Sequence, residues 1–317
     1  MLKRIPLFFA LTLSVLVSIS TTFAVNVSDI VNGVSQSTYT NYLDNMLYTH
    51  LGDSRGFSKQ HDLARTNIYD SLQSYGLNTS LDPFTMSGST YYNVVGVQTG
   101  STRPNDIYIV GAHYDSVGNP GADDNASGTA GVVEAARVLS QYDFEATLIY
   151  IAFDREESGL IGSNAYAQEH AGDNILGMIS LDMIAYNGSN SKKAWIYGHT
   201  ESDPIKNALA SAMSQYGNGL IASIGGSLDG SDHAPFEWLG FDACLLIEYD
   251  LSSNPQYHQA GDSVDTPGYI NYAYAANMVR STVGYLATSA VLVPDPGMIL
   301  IIGLGFIAII RKIRFHC

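Results

Sequence analysis

The chain has 317 residues and carries 15 Lys and Arg against 30 Asp and Glu, a formal net charge of −15. Such an acidic surface repels nucleic acid and anionic lipid, so neither is an expected partner. Cys244 and Cys317 are the only cysteines, which excludes a disulfide framework, and Cys244 in the apolar run "ACLLIEY" reads as a small buried side chain.

Residues 1–24 carry Lys3 and Arg4, a mostly apolar stretch from Ile5 to Val17, and then small and polar residues up to Ala24. That order predicts a secretory signal peptide cut after Ala24. The apolar core is short of the ~20 residues that span a bilayer as a retained helix. The ends hold five of the fifteen basic residues and one of the thirty acids, which leaves 25–293 with ten against twenty-nine, a formal −19. This stretch is long enough for one domain with a large core.

Residues 27–75 read as mainly helical, with apolar residues spaced at three and four in "YLDNMLYTHL" and "KQHDLARTNIYDSLQSYGL" and Gly76 as a helix stop. Strands and helices then alternate. Apolar, β-rich runs fall at 91–98, 106–114, 146–153, 178–186, 193–198 and 243–249, and helical patterns at 127–142, 161–171, 203–217 and 269–290. Continuous apolar strands separated by helices predict an α/β class, with a mostly parallel sheet covered on both faces.

The last segment, 294–317, joins a Pro-Asp-Pro turn to thirteen uncharged residues, Met298 to Ile310, followed by Arg311, Lys312 and Arg314. An apolar run capped by basic residues inserts with its positive flank in the cytoplasm. The tail resembles the PEP-CTERM sorting signal of Gram-negative bacteria, with Asp295 where that motif usually has Glu. The resemblance implies a sorting protease as partner and a tail that is removed; the alternative is a plain single-pass membrane anchor. Together the two ends predict export across the inner membrane, to the periplasmic face, the cell surface or the medium.

Ligands of open α/β sheets bind beyond the carboxyl ends of the strands. Four predicted strands end in His, Asp or Glu: at His113 and Asp115, at Glu156 and Glu157, at Asp182, and at Glu248 and Asp250. No serine or cysteine sits in a nucleophile setting such as G-x-S-x-G. A metal site explains the convergence, because zinc takes imidazole and carboxylate ligands and paired zinc ions act together in hydrolases. The candidate ligands are His113, one acid of "PGADDNASG" at 120–128, one of Glu156 and Glu157, Asp182, and His258 of "NPQYHQAGDSVD".

The motifs "GAHYDS", "PGADDNASG", "EESGLIGS", "SLDM", "GSDHAPF" and "YHQAGDSVD" occur in one order along residues 30–290. In this the chain resembles the co-catalytic di-zinc aminopeptidases, of the secreted bacterial leucyl aminopeptidase and aminopeptidase Y type. The resemblance implies a single domain with a central mixed sheet of about eight strands, two Zn2+ per chain and a peptide substrate; a monomer is expected. It implies Asp124 as the bridging carboxylate, with Asp123 the competing assignment, and a cis peptide between Asp124 and Asn125. His113 and Asp182 would complete one zinc site, and Glu157 and His258 the other. Glu156 would be the general base, and Asp115 would hydrogen-bond the His113 imidazole.

Glu156 and Glu157 are expected on extended backbone, where adjacent side chains point apart. Tyr257 matches a position where some relatives stabilise an oxyanion, and otherwise reads as a packing aromatic. Met183, Leu245 and Ile247 would line an apolar pocket for the substrate's first side chain. Asp232 and His233 are given a supporting role and no metal, and His50, His61, His170 and His199 have no partner motif and read as solvent-facing or core histidines. Carboxypeptidases and glutaminyl cyclases share the ligand set and are the alternatives, beside a non-catalytic ectodomain.

Overall fold

Four apolar runs make the centre of a sheet because each is buried on both faces. In the computed structural model, which describes residues 25–293, they are β3 (Arg103–His113), β4 (Ala146–Phe153), β5 (Asn174–Asp182) and β8 (Ala243–Glu248). They lie parallel in the order β4-β3-β5-β8. Every residue of β4 and β8 is buried, as a strand covered on both sides requires. The register pairs His113 with Phe153 and Asp182 with Ile247, so the carboxyl ends of neighbouring strands finish side by side.

Four further strands flank this core. β2 (Ser89–Gln98) runs antiparallel to β4, and β1 (Asn78–Met86) antiparallel to β2. On the other side β6 (Lys193–Tyr197) is antiparallel to β8, and β7 (Ile221–Ile224) parallel to β6. The result is one mixed eight-stranded sheet. Sequence patterning misses β1 and β7, the two edges. β1 carries Pro83 and is mostly exposed, and β7 has four residues with Ile221 and Ile224 both exposed. Edge strands lack the two-sided burial that marks their neighbours.

One face is covered by α1 (Val27–Asn32), α2 (Gln36–Asn41), α3 (Lys59–Ser74), α4 (Gly128–Leu139), α6 (Asp203–Tyr216) and α8 (Tyr272–Ser289), which share one large apolar core. The other is covered by α5 (Ile161–Glu169) and α7 (Ala234–Trp238), whose Tyr166, Ala167 and Phe236 pack on β3, β4 and β5. The 27–75 segment is less helical than its pattern suggests. After α2 the chain makes a wide turn at Tyr42–Met46 and runs irregularly until Ser58, whose hydroxyl accepts the His61 N–H and starts α3. Gly76, at φ +80°, then turns the chain out of α3.

Among the described residues no helix is long and apolar enough to cross a membrane. Residues 1–24 and 294–317, where a signal peptide and a sorting or anchoring tail are expected, lie outside the described residues.

Candidate metal centre

His113, the last residue of β3, is held from both sides. Its Nδ1 lies 3.5 Å from Asp115 Oδ1 and 3.3 Å from the Asp115 carbonyl oxygen, and the Thr129 hydroxyl donates to the His113 carbonyl at 2.7 Å. Asp115 Oδ1 also accepts the Glu156 backbone N–H at 3.2 Å. One carboxylate therefore fixes the strand end that carries the imidazole and the turn that carries the glutamates.

The glycine-rich segment after β3 folds back over the strand ends. Gly121 has φ +57°, and a Cβ there would meet the Asp124 carbonyl oxygen at 2.4 Å; one at Gly128 would meet the Leu181 carbonyl oxygen at 2.2 Å. The peptide between Asp124 and Asn125 is cis. Asn125 donates to the Leu181 carbonyl at 2.8 Å and accepts the Gly128 N–H at 2.9 Å, which ties the segment to β5.

The two aspartates of the segment face different ways. Asp123 Oδ1 accepts the N–H groups of Ala185 and Tyr186, and its Oδ2 the Asn254 amide. Asp124 faces the strand ends, with Oδ1 3.4 Å from His113 Nε2 and Oδ2 3.1 Å from His258 Nε2.

Glu156 and Glu157 are not on extended backbone. Arg155 takes φ +60°, and the chain turns at once, with the N–H groups of Gly159 and Leu160 both donating to the Glu156 carbonyl. The turn still separates the side chains. Glu156 Oε2 lies 3.8 Å from His113 Nε2, beside Asp182 Oδ1 at 3.6 Å from the same nitrogen, whereas Glu157 Oε2 lies 3.4 Å from His258 Nε2. His258 comes from the loop before α8, at φ +57°, and its ring stacks on Tyr257 with centroids 4.0 Å apart.

This crowding shows in the protonation equilibria. Burial, then the Asp124 charge, pushes Glu157 up to about 8, and burial raises Glu156 well above the carboxylate range against the pull of His113. Asp124 resists its own burial, because hydrogen bonds from His113 and His258 bring it down to about 2. Without a cation, protons hold the cluster together.

The donor set fits metal ions better. Glu157 Oε1 and Asp182 Oδ1 are buried without any hydrogen-bond partner among the described residues. Ligand atoms of His113, Asp124 and Glu157, and again of His113, Glu156 and Asp182, lie within 4.8 Å of one another. Imidazole nitrogen with carboxylate oxygen is a zinc-type combination.

Beside these groups opens a cavity of about 170 Å³. Met183, Leu245 and Ile247 line it, with Leu228 and Leu251 packed against them. Tyr257 borders it while 44 % exposed, its phenol pushed up to about 12 by burial and by Asp124.

Several residues of the site escape sequence reasoning. Asp262, inside the quoted "YHQAGDSVD", accepts the backbone N–H groups of Asp123 and Asp124 at 2.7 and 3.1 Å. Ser231 donates to Asp182 Oδ2 at 2.7 Å. Arg55, fully buried, donates to the carbonyls of Leu47, Tyr48, Tyr114, Pro120 and Gly121. Asp262 and Ser231 lie inside quoted motifs, "YHQAGDSVD" and "GSDHAPF", and Arg55 in none. Asp232 and His233 are fully buried; burial takes Asp232 up to about 7 and His233 down to about 4.

Glu248, at the end of β8, stays out of the cluster and accepts from Asn254. Of the four histidines without a partner motif, His61 is a core residue against Asp154, and His50, His170 and His199 are partly exposed beside Asp265, Asp173 and Asp229. Burial raises the thiol of Cys244, as its apolar run suggests.

Fold and site together define a class: α/β proteins with a cation centre of imidazoles and carboxylates at the carboxyl ends of parallel strands. The sequence model of peptidase family M28 matches residues 93–283, and the chain belongs to that family. Aminopeptidase YwaD of Bacillus subtilis is 32 % identical over 210 residues, 62 % of this chain and 45 % of YwaD. The chain thus spans about half the length of the relatives it matches in sequence.

Among solved structures, the aminopeptidase of Aneurinibacillus sp. strain AM-1 superposes with a TM-score of 0.71 at 19 % identity, over 85 % of this chain and 97 % of that one. A Bacteroides thetaiotaomicron glutaminyl cyclase, bound to N-acetylhistamine, superposes at 0.66 and 18 % identity, over 80 % and 97 %. Both likenesses are of fold.

Proposed function

We propose that the chain is a zinc-dependent aminopeptidase that removes N-terminal residues from peptides. The observation that carries this reading is the Asp124 carboxylate, which turns one oxygen to His113 and the other to His258. His113 and Asp182 would hold one zinc ion and Glu157 and His258 a second, with Asp124 shared between them. The sequence relative named as an aminopeptidase supports the activity.

When bound, zinc supplies Lewis-acid polarisation of a carbonyl and a lowered pKa for water. Glu156 is the general base. Its carboxylate lies on the His113 flank of the cluster, and it takes the proton of the attacking water and delivers it to the leaving amine. Asp115 orients His113 through Nδ1 and so keeps Nε2 turned to the cluster. Tyr257 steadies the developing oxyanion from the rim of the cavity. Met183, Leu245 and Ile247 receive the apolar side chain of the residue to be removed.

The test compares one aminoacyl anilide with its amine free and acetylated, before and after chelation. Loss of cleavage on acetylation and on chelation is the expected result. Cleavage that needs a free carboxyl terminus would mean a carboxypeptidase. Pyroglutamyl product from N-terminal glutamine would mean a cyclase, the activity named for the Bacteroides protein of similar fold.

For the whole protein we propose export, with the 294–317 segment engaging a sorting protease or the membrane, on the basis of the sequence of the two ends, and separately a monomeric state. Fractionation of cells producing the full chain tests the export.

A further inference from the structure

Away from the main centre, the end of β6, the loop 225–233 and α7 bring together a second group of ligand-type side chains. His199 Nε2 lies 3.0 Å from Asp229 Oδ1 and 3.6 Å from Glu237 Oε2. The three ligand atoms all fall within 4.8 Å of one another. Each carboxylate is oriented by its other oxygen. Glu237 Oε1 accepts the His199 N–H at 2.7 Å and the Ser202 hydroxyl at 2.5 Å, and Asp229 Oδ2 accepts the Trp238 indole N–H at 3.3 Å.

Glu237 Oε2 is what sets this group apart from a surface ion pair. Its side chain is 1 % exposed, and among the described residues this oxygen has no hydrogen-bond partner although it points at the cluster. A buried acceptor left without a donor is costly. A proton on His199 does not remedy this, because Nε2 carries one N–H and Asp229 already stands nearer to it. A cation between the three atoms serves all of them at once.

We propose that His199, Asp229 and Glu237 form a further divalent-cation site, separate from the main centre, that takes a zinc-like ion through His199 Nε2, Asp229 Oδ1 and Glu237 Oε2. One imidazole and two carboxylates suit zinc or cobalt, whereas magnesium and calcium prefer oxygen alone. The partial exposure of His199 and Asp229 leaves room for water as a remaining ligand. Leu228, the residue before Asp229, lines the main cavity. A bound ion therefore pins the loop that forms one wall of the cleft to β6 and α7.

The test is metal content of the full chain after equilibrium dialysis against Zn2+, for wild type and for His199→Asn and Asp229→Asn. Both replaced side chains are partly exposed, so the fold tolerates the changes. The expected result is one zinc ion fewer per chain in each variant, a difference that reads the same whatever the main centre holds. Co2+ in place of zinc gives a second readout, as one component of its visible d–d absorption disappears in both variants. Equal zinc content in wild type and variants, or an unchanged cobalt spectrum, overturns the proposal.

Discussion

The carboxylate of Asp262 accepts the backbone N–H of Asp124 at 3.1 Å and, with its other oxygen, that of Asp123 at 2.7 Å. Asp262 lies 138 residues from Asp124 and touches neither imidazole of the centre, yet it fixes the backbone of the residue both imidazoles face. Asp262→Asn turns an amide NH2 toward one of those N–H groups, at a cost of about 1–3 kcal/mol. Zinc affinity is expected to fall roughly 10- to 100-fold, as when groups that orient metal ligands are removed. Zinc titration followed by calorimetry, with thermal melting alongside, checks both; unchanged affinity would remove Asp262 from this role.

Glu156→Gln separates base chemistry from metal binding. The amide keeps the size of the side chain and cannot take a proton, so turnover of a peptide anilide drops by about 10²- to 10⁴-fold. Zinc content stays at the wild-type level, because the proposed ligands are all retained. Turnover near wild type rules Glu156 out as the base.

Stability of the chelated protein falls as pH rises from 6.5 to 8. Glu157 is pushed up to about 8, and Asp123 and Asp232 each to about 7, all by burial before any neighbouring charge. A carboxyl whose folded pKa exceeds its unfolded value of ~4 holds a proton in the folded state that the unfolded chain has released, so folding weakens as pH rises through the folded pKa. His233, lowered by burial to about 4, has the opposite slope, but below pH 6.5, where only the unfolded chain gains its proton. Urea midpoints at pH 6.5, 7.2 and 8.0, with chelator and with zinc, read the effect. The chelated series declines and the zinc series is flatter; a chelated midpoint that climbs across this range contradicts the account.

Gly128→Ala places a methyl group 2.2 Å from the Leu181 carbonyl oxygen and 2.4 Å from Asn125 Oδ1. Relief requires the 120–128 segment to move off β5, at about 1–3 kcal/mol for overpacking of this kind. Gly172→Ala, where a Cβ meets nothing within 4 Å, is the control and stays near neutral. Chemical unfolding of both variants makes the comparison.

What the sequence reveals follows from where the physical signal sits. β3, β4, β5 and β8 are legible because two-sided burial demands unbroken apolar runs. The edges β1 and β7 carry no such demand, and the five residues of α7 are too few to show a helical period. His113, Glu157 and Asp182 could be proposed because each closes or follows a legible strand, and His258 because its motif resembles a family pattern. The turn at Glu156 leaves no trace in the sequence because a left-handed Arg155 has no compositional mark, unlike a glycine. Pairs such as His50 with Asp265 or Ser231 with Asp182 join positions far apart in the chain, and no local pattern records them.

The guanidinium of Arg55 spends its hydrogen bonds on carbonyl oxygens, although Asp262, Asp115, Asp124 and Glu157 all act on its charge. It is thus a counter-ion sewn into the chain, one that no chelator extracts. A protein stripped of zinc keeps this anchor for its anionic nest, so the apo form awaits refilling as a shaped vessel, and metal loading need not coincide with folding.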